Sequence, residues 1–398
     1  MGLRTDTRKK KPLRVRGCIH MKNGVDEEKY CDSVISELEE LIEKICRIPA
    51  PSHHEQARAE FCRKWFEENG CSAYTDDALN VICPVADDGI GDLVVFSAHT
   101  DTVFPDLAAM PFEKDEKRMY SPSVGDDTAC LAILMLCARY FIQNGAKPKN
   151  GILFVANSCE EGLGNLKGIR KIMETYGKRV KAHYSLDSTY RHVVDRCVGS
   201  YRYEITVETE GGHSFSGFGK ANAIHIASTL IAKLYETQVP KFGDSITTYN
   251  VGTIAGGTSV NTIAQSCSFK YEYRSDNYMC MDVMKEKLIR VLASAPENCR
   301  VSTKLLGERP CMKGVDEKTQ KEMSRMCRQI QEKYSGLPCD TVAGSTDCNI
   351  PLSMGIPAVA IGVFDGGGEH TREEYIERES LPRGMRIAME IIGSYFED

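Results

Sequence analysis

Five short segments of this chain place carboxylates or imidazoles beside apolar runs. They are Ala98-His99-Thr100-Asp101-Thr102, Ser123-Val124-Gly125-Asp126-Asp127, Asn157-Ser158-Cys159-Glu160-Glu161-Gly162, Ser185-Leu186-Asp187-Ser188 and Gly368-Glu369-His370-Thr371. Singly, each has an ordinary explanation. A histidine at a strand end is usually a hydrogen-bonded structural residue. Asp126-Asp127 ahead of an apolar helix suits a cap at the positive helix end. Together they point elsewhere. Carboxylates that converge in one cleft repel one another unless cations lie among them, so the set asks for metal. The donors are His, Asp and Glu without cysteine, which suits zinc, cobalt or manganese in a catalytic site.

The spacing has its own chemistry. A metal-bound imidazole usually donates its second N–H to a carboxylate, and Asp101, two residues beyond His99, is placed for that. Adjacent Glu160 and Glu161 can divide labour, one coordinating while the other takes a proton from water. Two ions about 3.5–4 Å apart need a shared carboxylate, for which Asp126 is the natural bridge.

The elements that must position these groups follow from periodicity. From Asp26 a helical pattern runs through Val34, Ile35, Leu38, Leu41, Ile42 and Ile45 until Pro49 and Pro51 stop it. A second helix is expected over 53–69, with Ser52 and Glu55 spaced as a capping box and Gly70 as its C-terminal cap. Residues 92–98, 152–156 and 358–363 are unbroken apolar strands, with an apolar helix over 128–143 between the first two. This order predicts an α/β fold with a mainly parallel sheet and helices on both faces. The chemistry-bearing loops would then gather at the carboxyl ends of its strands. After Arg196 the texture changes: alternating strands at 201–208 and 268–273 and helices at 221–236 and 283–292 read as an inserted α+β unit. The expected division is a basic tail over 1–25, a first body segment over 26–197, the insertion over 198–306, and a second body segment over 307–398.

Bulk properties narrow the classes. A chain of 398 residues exceeds a comfortable single core. The net charge is −6 and no basic patch interleaves with aromatics, which argues against nucleic acid. No apolar run reaches the ~20 residues of a membrane helix, and the charged N-terminus lacks the apolar core of a secretory signal. Seventeen scattered cysteines without a Cys-x-x-Cys pair are expected to be reduced thiols in a cytoplasmic protein.

The motifs His99-Thr100-Asp101, Gly125-Asp126-Asp127, Glu160-Glu161-Gly162, Ser185-Leu186-Asp187, Gly211-Gly212-His213-Ser214 and Glu369-His370-Thr371 occur in one order over nearly the whole chain from about Asp26. In this the chain resembles the co-catalytic zinc peptidases, the family of peptidase T, carboxypeptidase G, aminoacylase and succinyl-diaminopimelate desuccinylase. The resemblance implies two divalent ions per subunit, zinc first with cobalt or manganese as alternatives. His99 and Asp187 would hold one ion and Glu161 and His370 the other, with Asp126 bridging, Glu160 as general base and Asp101 orienting His99. It implies a cis peptide at Asp126–Asp127. It makes the insertion a lid through which two subunits pair, with His213 polarising the scissile carbonyl. Asn261, in Gly256-Gly257-Thr258-Ser259-Val260-Asn261, would contact substrate, and Arg274 would take a substrate carboxylate. Ser345-Thr346-Asp347 would line the pocket. One departure stands out: many relatives carry lysine after the second aspartate, where this chain has Thr128-Ala129-Cys130. The implied activity is cleavage of short peptides from the amino end. The alternatives are deacylation of N-acyl amino acids and, in another class, a non-catalytic metal-binding regulator.

Overall fold

The computed structural model describes residues 24–397 except Thr237. The predicted basic tail lies outside the described residues as far as residue 23; its last two residues open a helix, Gly24–Ser33. Apolar runs bounded by turn residues become strands, numbered here along the chain. The first six are β1 (Tyr74–Thr75), β2 (Val81–Val85), β3 (Leu93–His99), β4 (Gly151–Asn157), β5 (Val180–Leu186) and β6 (His192–Cys197). The next four are β7 (Gly199–Glu208), β8 (Thr247–Gly256), β9 (Ser266–Ser275) and β10 (Arg300–Arg309), followed by β11 (Asp340–Gly344) and β12 (Ala358–Ile361).

Eight of these form one sheet in the order β1-β2-β4-β3-β5-β12-β6-β11. The central four, β4-β3-β5-β12, are mutually parallel. Alternate residues face opposite sides: Val94, Phe96 and Ala98 join one apolar cluster, Leu93 and Val95 another. Both faces are covered by helices, including Cys130–Gln143 and Leu381–Gly393 on one side and Lys167–Tyr176 on the other. The sheet is nevertheless mixed. β1–β2, β2–β4 and β12–β6 are antiparallel. The connections explain this. The Asp76 carboxylate accepts the N–H groups of Ala78 and Asn80 and closes a β1–β2 hairpin. The short link between β5 and β6 cannot carry the dozen or more residues a parallel crossover needs.

The remaining four strands form a separate antiparallel sheet, β8-β9-β7-β10. Helices Ala223–Tyr235 and Tyr278–Ala293 pack on it, each started by an asparagine side chain, Asn222 or Asn277, that accepts backbone N–H groups. Ile205, Val207, Leu230, Phe269, Met284 and Leu288 make its own core. The chain enters along β7 and leaves along β10 as hydrogen-bonded neighbours, with Ser200 opposite Arg309.

Three local expectations need correction. The first helical run divides into Gly24–Ser33 and Ile35–Cys46 at Val34. The Ser52–Glu55 capping box does not form: the helix is Gln56–Glu68, and Glu55 at its cap makes no side-chain capping bond. Ser52 instead donates to Asp101 Oδ2 at 2.6 Å, and Glu55 Oε1 accepts the N–H of Cys159. The thiols are not all free, since Cys71 and Cys83 form a disulfide that ties the segment before β1 to β2, across a Cα separation of 6.1 Å that suits such a bond. Among the described residues no helix is long and apolar enough to cross a membrane.

Candidate metal centre

His99 is the last residue of β3, Glu160 and Glu161 follow β4, Asp187 follows β5, and His370 lies in the loop beyond β12. These strands are parallel neighbours, so the four loops emerge along one edge. Asp126 arrives from an irregular turn, Val124–Ala129, that feeds the buried helix Cys130–Gln143. Three groups of potential ligand atoms result, each with its atoms within 4.8 Å of one another: His99 with Asp126 and Asp187, His99 with Glu160 and Glu161, and Asp126 with Glu161 and His370. Asp126 lies between the two imidazoles, with Oδ1 2.9 Å from His99 Nε2 and Oδ2 3.0 Å from His370 Nε2.

The supporting bonds are dense. Asp101 accepts the N–H of Glu160 on Oδ1 at 2.8 Å and that of Glu161 on Oδ2 at 3.0 Å. It thereby fixes the main chain of both glutamates. His99 Nδ1 lies nearer the main-chain oxygen of Asp101, at 3.0 Å, than its carboxylate, at 3.6 Å. Asp127 Oδ2 accepts the N–H of His99, and the Asp126–Asp127 peptide is cis. Glu374 accepts the N–H groups of Ser123, Gly125 and Asp126 at 2.8–2.9 Å, clamping the turn that presents Asp126. A Cβ on Gly125 would stand 2.6 Å from the Phe364 ring and 3.1 Å from Glu374 Oε1, so only glycine fits this turn.

Sequence reasoning missed Glu374 and Arg309, gave Ser52 only a capping role and gave Asp347 only a place in the pocket lining. Asp347 is fully buried beside Asn157, which donates to its Oδ2 at 2.6 Å. Arg309 donates to Glu160 Oε1 at 3.1 Å. A signal existed for one of them: Glu374 follows His370 by four residues in the same glycine-rich loop region.

Too much negative charge is concentrated here for a site without cations. Burial pushes Glu161 up to about 7, with Asp126 and Glu160 adding to it. Burial likewise raises Asp187 and takes Asp347 up to about 8, with neighbouring carboxylates contributing. The Asp126 carboxylate, with Glu161 beside it, lifts His370 to about 11. Burial opposes protonation of His99, but Asp127, Asp101 and Asp126 outweigh it. Divalent cations among these donors would offset the same crowding of carboxylates. Glu161 Oε1 is buried, accepts no hydrogen bond and lies 3.3 Å from His370 Nε2, as a ligand atom awaiting an ion would. The donor set fits two ions sharing Asp126.

The candidates on the insertion make their own side-chain bonds within it. Exposed Gly212-His213 forms a two-residue ladder with Thr262-Ile263, and Ser214 N–H donates to Asn261 O, so His213 and Asn261 share one loop cluster. Arg274 pairs with Glu272 on its own strand, Nε and Nη2 each reaching a carboxylate oxygen at 3.1–3.2 Å.

A model of the peptidase family M20/M25/M40 matches residues 95–394. The chain is similar to acetylornithine deacetylase of Myxococcus xanthus, 24% identical over 352 residues, covering 81% of this chain and 88% of the relative. Its fold matches the crystal structure of aminopeptidase PepT from Bacillus cereus, with a TM-score of 0.71 at 22% identity over 91% of this chain and 98% of that one. It also matches the Bacillus subtilis YXEP protein, described as a dinuclear metal-binding peptidase, with a TM-score of 0.63 at 16% identity over 90% and 98% of the two chains.

Proposed function

This chain belongs to peptidase family M20/M25/M40, and from that premise we propose that it is a dinuclear-metal hydrolase that cleaves an amide bond in short peptides. The observation that carries the reading is the convergence of His99, Asp126, Glu160, Glu161, Asp187 and His370 at one edge of four parallel strands. His99 and Asp187 would hold one ion, Glu161 and His370 the other, with Asp126 shared; zinc suits this donor set best. When bound, the ions would supply Lewis acidity and make water acidic enough to act as a nucleophile near neutral pH. Glu160 takes the proton of the attacking water and returns it to the departing nitrogen. Asp101 holds the main chain that carries Glu160, so the base is oriented before substrate arrives.

Residues 198–306 act as lid and dimerisation unit in this reading. His213 of one subunit reaches the carbonyl in its partner's site and stabilises the oxyanion. Asn261 contacts substrate, and Arg274 exchanges Glu272 for a substrate carboxylate.

The deacetylase relative favours a second reading, removal of an acyl group from an N-acyl amino acid by the same machinery. One experiment separates them. The protein is stripped, reloaded with Zn²⁺, Co²⁺ or Mn²⁺, and assayed on panels of tripeptides and of acetyl- and succinyl-amino acids. Turnover of tripeptides above acyl-amino acids is expected. The reverse order selects the deacylase, and no turnover on either panel by metal-loaded protein overturns the hydrolase reading.

A further inference from the structure

Arg309 is the last residue of β10, the strand by which the chain leaves the insertion, and it is only 5% exposed. Its guanidinium points back into the metal-bearing body. Nη1 donates to Glu160 Oε1 at 3.1 Å, to the Ser345 main-chain oxygen at 2.8 Å and to Ser345 Oγ at 3.3 Å. Nη2 donates to the main-chain oxygen of Glu160. One planar fork therefore grips the carboxylate and the carbonyl of the same residue, a geometry that a lysine ammonium cannot reproduce. From the other direction Asp101 holds the Glu160 N–H. Among the described residues no protein hydrogen bond holds the second carboxylate oxygen, Oε2. With Oε1 taken by Arg309, Oε2 is the oxygen left to receive a proton.

We propose that Arg309 is a positioning residue for Glu160: its fork fixes which carboxylate oxygen faces the reacting water, and it ties that orientation to the seating of the insertion. The proposal rests on the reading of Glu160 as the base. The anchorage is long-range in sequence, 149 residues apart, and it joins two sheets that otherwise have separate cores. A charged side chain buried at such a junction has a large desolvation cost unless its partners are fixed. Glu160 and Ser345 supply those partners, so the junction and the base are set together.

The test uses the full-length, metal-reconstituted enzyme and the peptide that the unmodified protein turns over best. Arg309→Ala, Arg309→Lys and Glu160→Gln are compared for bound metal, KM, kcat and rescue by added guanidinium at millimolar concentration. Arg309→Ala should keep both ions and a KM within about twofold while kcat falls roughly 10–100-fold, the cost expected of a misplaced catalytic group. Guanidinium should restore part of kcat in Arg309→Ala and none in Glu160→Gln. Arg309→Lys, which keeps charge but not the fork, should fold and show reduced kcat at unchanged KM. Normal kcat in either arginine variant overturns the proposal. So does a folded Arg309→Ala protein that loses metal or gains nothing from guanidinium, since either marks a purely structural role. If Arg309→Ala does not fold, the Lys variant alone decides. Near-normal kcat in Glu160→Gln would refute the base assignment instead, and is distinguishable because it does not involve Arg309.

Discussion

In the body, His99, Asp101, Asp127 and Asp347 are almost wholly buried and bonded to residues far away in sequence, such as Ser52 to Asp101 and Asn157 to Asp347. In the insertion, His213 and Asn261 are exposed, and their side chains bond to near neighbours: Phe215 N–H to His213 Nδ1, and Ser259 Oγ to Asn261 Oδ1. Around them Phe215, Phe218 and Val260 are 88–101% exposed. Long-range, desolvated bonds preorganise the metal groups before any ligand arrives. The side chains of the insertion's candidates lack that support.

The largest effect is expected in the body. Chelation should abolish activity and Zn²⁺ or Co²⁺ should restore it, with about two ions per chain by elemental analysis under the two-ion scheme. Within that site, Glu160→Gln should keep both ions and lose about 10²–10⁴-fold in kcat, whereas Glu161→Gln should also lose an ion. Equal metal content in the two variants would mean the adjacent glutamates do not divide labour.

The next effect sharpens the view of the insertion. His213→Ala should lose about 10²–10³-fold in kcat if it stabilises the oxyanion. Mixing this inactive variant with inactive Glu160→Gln and allowing subunit exchange should regenerate activity, because one hybrid site receives intact His213 from its partner. Demonstrated exchange without recovery would put His213 in cis or outside the chemistry.

A smaller effect is expected one step behind the ligands. Glu374→Gln should weaken metal affinity about 10–100-fold, as loss of an outer-shell partner typically does, read by competition with a chromophoric chelator. Unchanged affinity would make the Glu374 clamp dispensable. The smallest effect concerns His183, buried in β5 with Ser97 Oγ 2.8 Å from its Nε2. Burial lowers it to about 3, so the folded state keeps it neutral. Its stabilisation is therefore full above the unfolded value near 6.5 and is lost as pH falls towards 3, by up to about 1.4 kcal/mol per pH unit. In the metal-free protein, His183→Gln should flatten the fall in unfolding free energy between pH 6 and 4 by about one proton; an unaltered slope would show that His183 is protonated in the fold.

The loops carrying His99, Glu160 and Asp187 were legible because each ends an apolar strand, and runs such as 92–98 and 152–156 announce themselves by composition, whereas Asp126 comes from an irregular turn. The helices over 223–235 and 278–293 lie within the windows given by their periodicity or extend them by a few residues. What stayed hidden depends on distant partners. Ser52 and Glu55 match a local capping pattern, yet their bonds go to Asp101 and Cys159. Arg309 ends a strand of mixed burial, and nothing local marks it as a neighbour of Glu160. The antiparallel joins of β2 and β6 follow from turn geometry at Asp76 and after Leu186, which apolar periodicity does not report. The Cys71–Cys83 pairing was likewise invisible to a count of scattered thiols.

The side-by-side entry and exit of the insertion at Ser200 and Arg309 bears on how such a protein could be remodelled. Two termini that already pair across one ladder can be joined by a short turn, so the intervening segment is a natural unit for deletion, replacement or grafting onto another scaffold. The exit residue sets the limit. A graft cut before Arg309 would leave the recipient's Glu160 without its grip, whereas one that retains β10 to its end would carry the fork along. Exchange of this segment between relatives is therefore expected to succeed only when the seam is placed beyond this arginine.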